Sequence, residues 1–194
     1  STGCLVRPRI RRWPSARSTS LSPTSRGRRP ARTSSLPSQA SIRDFRIGIC
    51  RTHNWQQAQP ETVEALEHAA KALAAAGASV SEAPLPPVFD GIEETFGVIS
   101  SVEASHALAH EARDHMPKLN SWIRDSLAAA ARHDQSRFDR AQGHAIKCQS
   151  ALATVFQQCD VLITPSTIGE APADLVSISS SVFNRTWTLM HCRV

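Results

Sequence analysis

The chain has 194 residues, enough for one domain and a tail; it has no apolar run of the roughly 20 residues that a membrane helix needs. Its five cysteines are an odd number without a C-x-x-C pair, which argues against a disulfide framework or a zinc site and favours a cytoplasmic protein. The net charge of +5 suggests a polyanion-binding protein, but residues 1–40 hold nine arginines and no acid, so the remainder, with 13 basic and 17 acidic residues, is mildly acidic.

Residues 1–41 are predicted to be a disordered Arg/Ser/Pro-rich tail, because such a composition buries too little apolar surface to offset the entropy of ordering. Three interpretations stay open. The segment is an arm that binds nucleic acid or an acidic surface, an organelle transit peptide, or the product of a shifted reading frame in GC-rich DNA. Arginine without lysine favours the third interpretation, with the arm next.

A β-α-β unit is predicted after the tail. Phe45–Cys50 and Ala78–Leu85 read as strands, bounded by turn-forming residues. Between them Pro60 suits the first position of a helix, and Gly77 suits a left-handed cap at its end. Adjacent parallel strands follow from this order of elements.

A helical region follows, and the chain then returns to the sheet. Apolar spacing predicts helices over Ile92–His115, Leu119–Arg132 and Phe138–Cys159, the last with Ile146, Leu152, Val155 and Phe156 on its buried face. Asp160–Pro165 reads as a buried strand, Gly169–Ser181 as a loop, and Phe183–Met190 as a final helix. We therefore predict an α/β fold: part of a mixed sheet covered by helices, with a helical insertion.

Four segments together resemble the amidase-signature family, through their order and spacing. They are Arg46–Thr52 followed by Trp55 and Glu61-Thr62, Ala72–Val80 running into Pro84-Leu85-Pro86, Asp160–Ser166, and Phe183–Thr188. The resemblance implies that residues 42–194 are an incomplete C-terminal part of an amidase domain. It also implies a family that hydrolyses carboxamides with a serine nucleophile, a second serine in a cis peptide and a lysine, without a cofactor.

The residues of that mechanism have no counterpart in this sequence. The family's Gly-Ser-Ser block is absent, and Ser179-Ser180-Ser181 has no adjoining glycine and reads as a polar surface loop. Lys71 and Lys147 lie on predicted helices away from any serine motif and read as solvated side chains. We therefore expect no catalytic residue here and a chain that is inactive alone, with a complementing catalytic chain as a possible partner.

The candidate substrate-pocket residues are Asn184 and Arg185. In the resembling family the loop after the Asp160–Pro165 strand and the start of the next helix help to line the pocket, where a polar side chain selects what the substrate carries. The alternative is that Asn184 caps the helix and Arg185 is solvated. The partner implied by the resemblance is a small-molecule amide.

Two other functions compete with the amidase interpretation. His106 and His110 have metal-ligand spacing on a helix, but no third ligand is fixed by the sequence, so we expect no metal site. The arginine-rich tail has a single aromatic residue, Trp13, which makes nucleic-acid binding the weaker alternative.

Overall fold

The computed structural model of the chain describes residues 3–6, 41–171, 173 and 180–192. Four strands and six helices are formed there, joined by short 3-10 turns. The strands are β1 (Gly3–Val6), β2 (Arg46–Ile49), β3 (Ser79–Glu82) and β4 (Val161–Pro165). The helices are α1 (Pro60–Ala75), α2 (Ile92–Ala107), α3 (Ala109–Asp114), α4 (Ser121–Ala130), α5 (Gln135–Gln158) and α6 (Val182–Leu189).

The strands form one mixed sheet in the order β1-β4-β2-β3. Strand β2 is parallel to both of its neighbours, with Ile47 opposite Val80 of β3 and Val161 of β4. Strand β1 runs antiparallel to β4 at one edge, with Leu5 opposite Ile163. The predicted α/β class with a mixed sheet is confirmed, and so is the parallel β-α-β unit.

Of residues 1–41, for which a disordered tail is predicted, the structure describes Gly3–Val6 and Ser41. Gly3–Val6 forms strand β1, because the main chain of an edge strand finds hydrogen-bond partners in β4 whatever its side chains are. Ser41 caps a 3-10 turn, where its hydroxyl accepts a hydrogen bond from the Arg43 amide. Residues 7–40 lie outside the described part of the chain.

Helix α1 forms where local signals place it. Pro60 is its first residue, and Glu61 lies in the first turn, where the helix dipole favours an acid. Gly77 follows the helix with φ of +99°, a conformation that costs glycine little, and the next amide, of Ala78, bonds back to the Leu73 carbonyl.

The helical region departs from the prediction in two ways. The helix predicted over Ile92–His115 ends at Ala107, and a separate α3 begins at Ala109. On α5 the buried face is carried by small and apolar residues spaced three and four apart, namely Ala141, Ala145, Cys148, Leu152 and Val155. Ile146 lies one position away from that stripe and is 49% exposed, so its predicted burial was wrong. Within the described residues, no helix combines the length and hydropathy needed to span a bilayer.

The sheet has a separate apolar core on each face, because neighbouring strand residues point to opposite sides. Leu162 of β4 packs into the larger core with residues of α2, α5 and α6, whereas Ile163 packs into the smaller core with Leu66 of α1. All five residues of β4 are buried, which confirms the predicted covered strand. Gly48 of β2 has no room for a side chain, since a Cβ there would come within 2.7 Å of Leu162 Cδ2.

Candidate functional site

The carboxyl ends of β2 and β4 meet at one edge of the sheet because the two strands are parallel. Ligand sites of α/β proteins lie at such an edge. The segment after β2 contains Thr52, His53 and Asn54, and Ser166 directly follows β4. Helix α6 packs close by, since its Asn184 bonds to Ser166.

Asn184 holds the loop after β4 and does not cap α6. Its Nδ2 donates to the Ser166 carbonyl oxygen at 3.0 Å, while the cap position is taken by Ser181. The Asn184 Oδ1 atom is buried and has no hydrogen-bond partner in the part of the chain that the structure describes. The capping alternative for Asn184 is therefore wrong.

Arg185 is held against helix α2 and is not freely solvated. Its Nη1 donates to Glu93 Oε2 at 3.2 Å, and its guanidinium carbon lies 5.8 Å from the centre of the Phe96 ring. The side chain stays 40% exposed. Arg185 is thus a positioned cation at the sheet edge with part of its surface open to solvent.

Glu93 connects Arg185 to the segment after β2. Its other oxygen, Oε1, accepts a hydrogen bond from Asn54 Nδ2 at 3.0 Å and lies 3.4 Å from His53 Nε2. Asn54 is buried, and its own Oδ1 accepts from Gln57 Nε2. The neighbouring Glu94 is 72% exposed, whereas Glu93 is 29% exposed and faces the site.

Buried polar groups without partners are frequent near this edge. Among the described residues they include the hydroxyls of Thr52, Thr164 and Thr186 and the indole nitrogen of Trp187. Thr164 points to the same side of β4 as Leu162, which is also the side that Trp187 covers. Buried polar atoms are normally hydrogen-bonded, so these atoms stand out from the apolar groups around them.

No serine-lysine pair is formed by the described residues. Lys71 and Lys147 are exposed, which confirms their interpretation as surface side chains. Ser179 lies outside the described residues. Ser180 Oγ accepts from the Val182 amide at 3.4 Å, in keeping with the start of a helix.

A cysteine and a histidine come close together in the core between α2 and α5, but they cannot act as a nucleophile and base. His144 Nε2 donates to the Val88 carbonyl at 2.7 Å, so Nδ1 is the atom that accepts from the Thr95 hydroxyl at 2.6 Å. Cys148 lies 3.6 Å from His144, is completely buried, and burial raises the pKa of its thiol to about 11. A neutral, inaccessible thiol is a packing group.

The histidines on α2 and α3 do not converge with other ligands. His110 Nδ1 lies 3.0 Å from Asp114 Oδ2, and the His110 ring meets the edge of His115. His106 is exposed on α2. Across the described ranges there is no group of three or more histidine, cysteine and acidic side chains that could hold a metal ion.

An ion pair fixes the opposite ends of β2 and β4. Arg46 donates to both oxygens of Asp160, from Nη2 to Oδ1 at 2.8 Å and from Nε to Oδ2 at 3.2 Å. The Arg46 amide also donates to Asp160 Oδ2. Hydrogen bonds from the Arg46 side chain and backbone lower the pKa of Asp160 from 3.8 to about 2.

This pKa predicts a loss of stability in acid. A carboxylate whose pKa is lower in the folded than in the unfolded chain stabilises the fold above the unfolded value, and that contribution disappears as the pH falls through the folded value. We expect the urea midpoint of the wild type to fall more steeply between pH 4 and 2 than that of Asp160→Asn. Asp139→Asn, at an exposed position on α5, is the control and should keep the wild-type slope. Parallel profiles for wild type and Asp160→Asn would contradict the assignment.

Comparison with known proteins relates the sequence and the fold of the chain to one family. The family model described as "Amidase" matches residues 10–188. Its match begins inside the arginine-rich segment, earlier than residue 42, where the sequence resemblance was seen to start. A curated protein from Comamonas testosteroni, 2-amino-5-chloromuconic acid deaminase, is 30% identical over 152 residues, covering 75% of this chain and 32% of that protein.

Solved structures agree on the fold. A crystal structure of an amidase matches with a TM-score of 0.64 at 18% identity, over 75% of this chain and 36% of the other. An inhibitor-bound vestigial protein complex, described as revealing the origins of an s-triazine catabolic enzyme, matches with a TM-score of 0.62 at 20% identity, over 77% of this chain and 34% of the other. The chain thus spans about a third of the length of these relatives.

Proposed function

The chain belongs to the amidase family, and from that premise we propose that its residues form the substrate-side part of an amidase domain and do not hydrolyse amides alone. The observation that carries the proposal is a polar cluster at the sheet edge in a sequence without the family's serine motif. The sheet edge offers a positioned polar cluster around Arg185 and Glu93, yet the sequence contains no Gly-Ser-Ser block.

Amide hydrolysis needs more than a pocket. An amide is a stable electrophile and a serine hydroxyl is a weak nucleophile, so the reaction needs a base beside the serine and amide N–H groups for the oxyanion. The two lysines considered, Lys71 and Lys147, are exposed, and no glycine of the sequence is followed by two serines. In this proposal the catalytic groups are supplied by residues other than these 194, for example on a complementing chain.

Asn184 and Arg185 contribute to the substrate pocket in this proposal. Asn184 positions the loop after β4 through Ser166, and Arg185 presents a cation at the same edge. The Comamonas testosteroni relative is named for an organic acid, and a carboxylate suits a pocket that contains an arginine. The substrate class is a small organic amide.

The free thiols support a cytoplasmic location in this proposal. Cys50, Cys148, Cys159 and Cys192 are free in the described part of the chain, as expected for a protein of the reducing cytoplasm. We place the chain there as part of the proposal.

Hydrolysis of an aryl amide tests the proposal. Purified chain is incubated with p-nitroacetanilide, and release of p-nitroaniline is followed against a buffer blank. We expect no release above the blank, because the proposal assigns the base that activates the serine to residues outside this chain. Steady turnover that a single serine-to-alanine substitution abolishes would overturn the proposed inactivity.

A further inference from the structure

We infer that Arg185 binds the carboxylate of a singly charged organic acid, and that Glu93 and Phe96 position its guanidinium for this. The inference rests on the proposed function, because it assigns a chemical class to the ligand of the same site. It adds Glu93, Asn54 and Phe96 to the two pocket residues that the sequence indicated. Its test is a binding measurement and does not depend on turnover.

The orientation of the guanidinium carries the inference. Nη1 is engaged by Glu93 Oε2 at 3.2 Å, and the Phe96 ring lies 5.8 Å from the guanidinium carbon. Two contacts in different directions limit the rotation of the planar group. Among the described residues, the Nε and Nη2 atoms of Arg185 have no hydrogen-bond partner, and that edge is the one that binds a carboxylate with two parallel hydrogen bonds.

Glu93 is itself held in place, so it can hold Arg185. Its Oε1 accepts from Asn54 Nδ2 at 3.0 Å, and Asn54 is 7% exposed. Glu93 also lies in the first turn of α2, where the helix dipole stabilises a negative charge. An ordinary ion pair on the surface forms without a buried hydrogen-bond partner for its carboxylate. The adjacent Glu94 also lies in the first turn of α2, but among the described contacts it has no buried amide partner, and its pair with Arg137 is more open, with side chains 44% and 72% exposed.

The charge of Glu93 also limits what binds. It lies next to the cation and would repel a doubly charged group such as a phosphate dianion more than a carboxylate. A single guanidinium edge offers two donors, which match the two oxygens of one carboxylate. Next to Arg185, Asn184 holds the loop after β4 through its hydrogen bond to the Ser166 carbonyl, which keeps this turn of α6 in place beside the sheet.

Benzoate and its neutral analogue benzamide test the inference on the full 194-residue chain. Each is titrated while the urea midpoint of unfolding is measured, because a ligand of the folded state raises that midpoint. We expect benzoate to raise the midpoint of the wild type more than benzamide does. Arg185→Gln should weaken the apparent benzoate affinity by roughly tenfold to a hundredfold, the worth of a charge-assisted hydrogen-bond pair.

Two further variants distinguish benzoate binding at Arg185 from a general effect of positive charge on the surface. Arg137→Gln removes an arginine paired with the neighbouring Glu94 and should leave the benzoate affinity unchanged. Arg185→Lys keeps the charge but loses the planar fork, so it should bind benzoate more weakly than the wild type and more tightly than Arg185→Gln. Equal stabilisation of wild type and Arg185→Gln by benzoate, or no stabilisation of the wild type beyond that by benzamide, would overturn the inference.

Discussion

Trp187→Ala is expected to destabilise the chain by about 3–5 kcal/mol, the range for removing a large aromatic side chain from a packed core. Trp187 is fully buried on α6 and packs with Leu162 of the sheet and Ile99 of α2 in the larger core. Removing the indole would leave a cavity where three elements meet. Equilibrium urea unfolding followed by circular dichroism measures the loss.

Trp122→Ala is the matched control, because Trp122 lies on α4 with 75% of its surface exposed. We expect it to change the free energy of unfolding by no more than about 0.5 kcal/mol. Trp187→Phe should cost less than Trp187→Ala, since phenylalanine fills most of the space and removes an indole N–H that has no partner among the described residues. Similar losses for Trp187→Ala and Trp122→Ala would contradict this packing.

His144→Ala is expected to destabilise the chain by about 2–3 kcal/mol through the loss of two buried hydrogen bonds. The imidazole bonds to both Thr95 of α2 and the Val88 carbonyl, so its removal breaks the hydrogen bond of α5 to Thr95 and one of its two hydrogen bonds to Val88. The cost stays moderate because the Cys148 thiol also donates to the Val88 carbonyl at 3.2 Å. The same urea titration applies.

Two variants serve as controls for His144→Ala. His106→Ala, at an exposed position of α2, should be nearly neutral. Thr95→Val keeps the shape of the side chain and removes only the hydroxyl that donates to His144, so we expect a smaller loss than for His144→Ala. A neutral His144→Ala variant would show that the imidazole contributes no net stability.

The elements that were predicted correctly from the sequence are specified by residues close to them along the chain. Helix α1 has its own start and end signals in Pro60 and Gly77, and strand β4 is a short apolar run that ends at a proline. These signals act within a few residues. The strand at Gly3–Val6 was missed because its order comes from pairing with β4, more than 150 residues away.

The site was predicted only in part for the same reason. Arg185 was identified through the family resemblance, but its partner Glu93 is 92 positions earlier in the chain. No local pattern separates Glu93, which faces the site, from Glu94, which faces solvent, because the choice depends on how α2 packs against α6. On α5 the predicted Leu152 and Val155 do lie on the buried face, whereas Ile146 is exposed because the small Ala145 beside it takes the buried position.

The central proposal is that these residues form part of an amidase fold and of its substrate pocket without an activated serine. Labelling with a fluorophosphonate, which reacts with activated serines, tests this most directly when the modified residue is identified by mass spectrometry. We predict that no serine of the folded chain is labelled beyond the level seen in urea-unfolded chain. Stoichiometric labelling of one serine in the folded chain alone would contradict the claim.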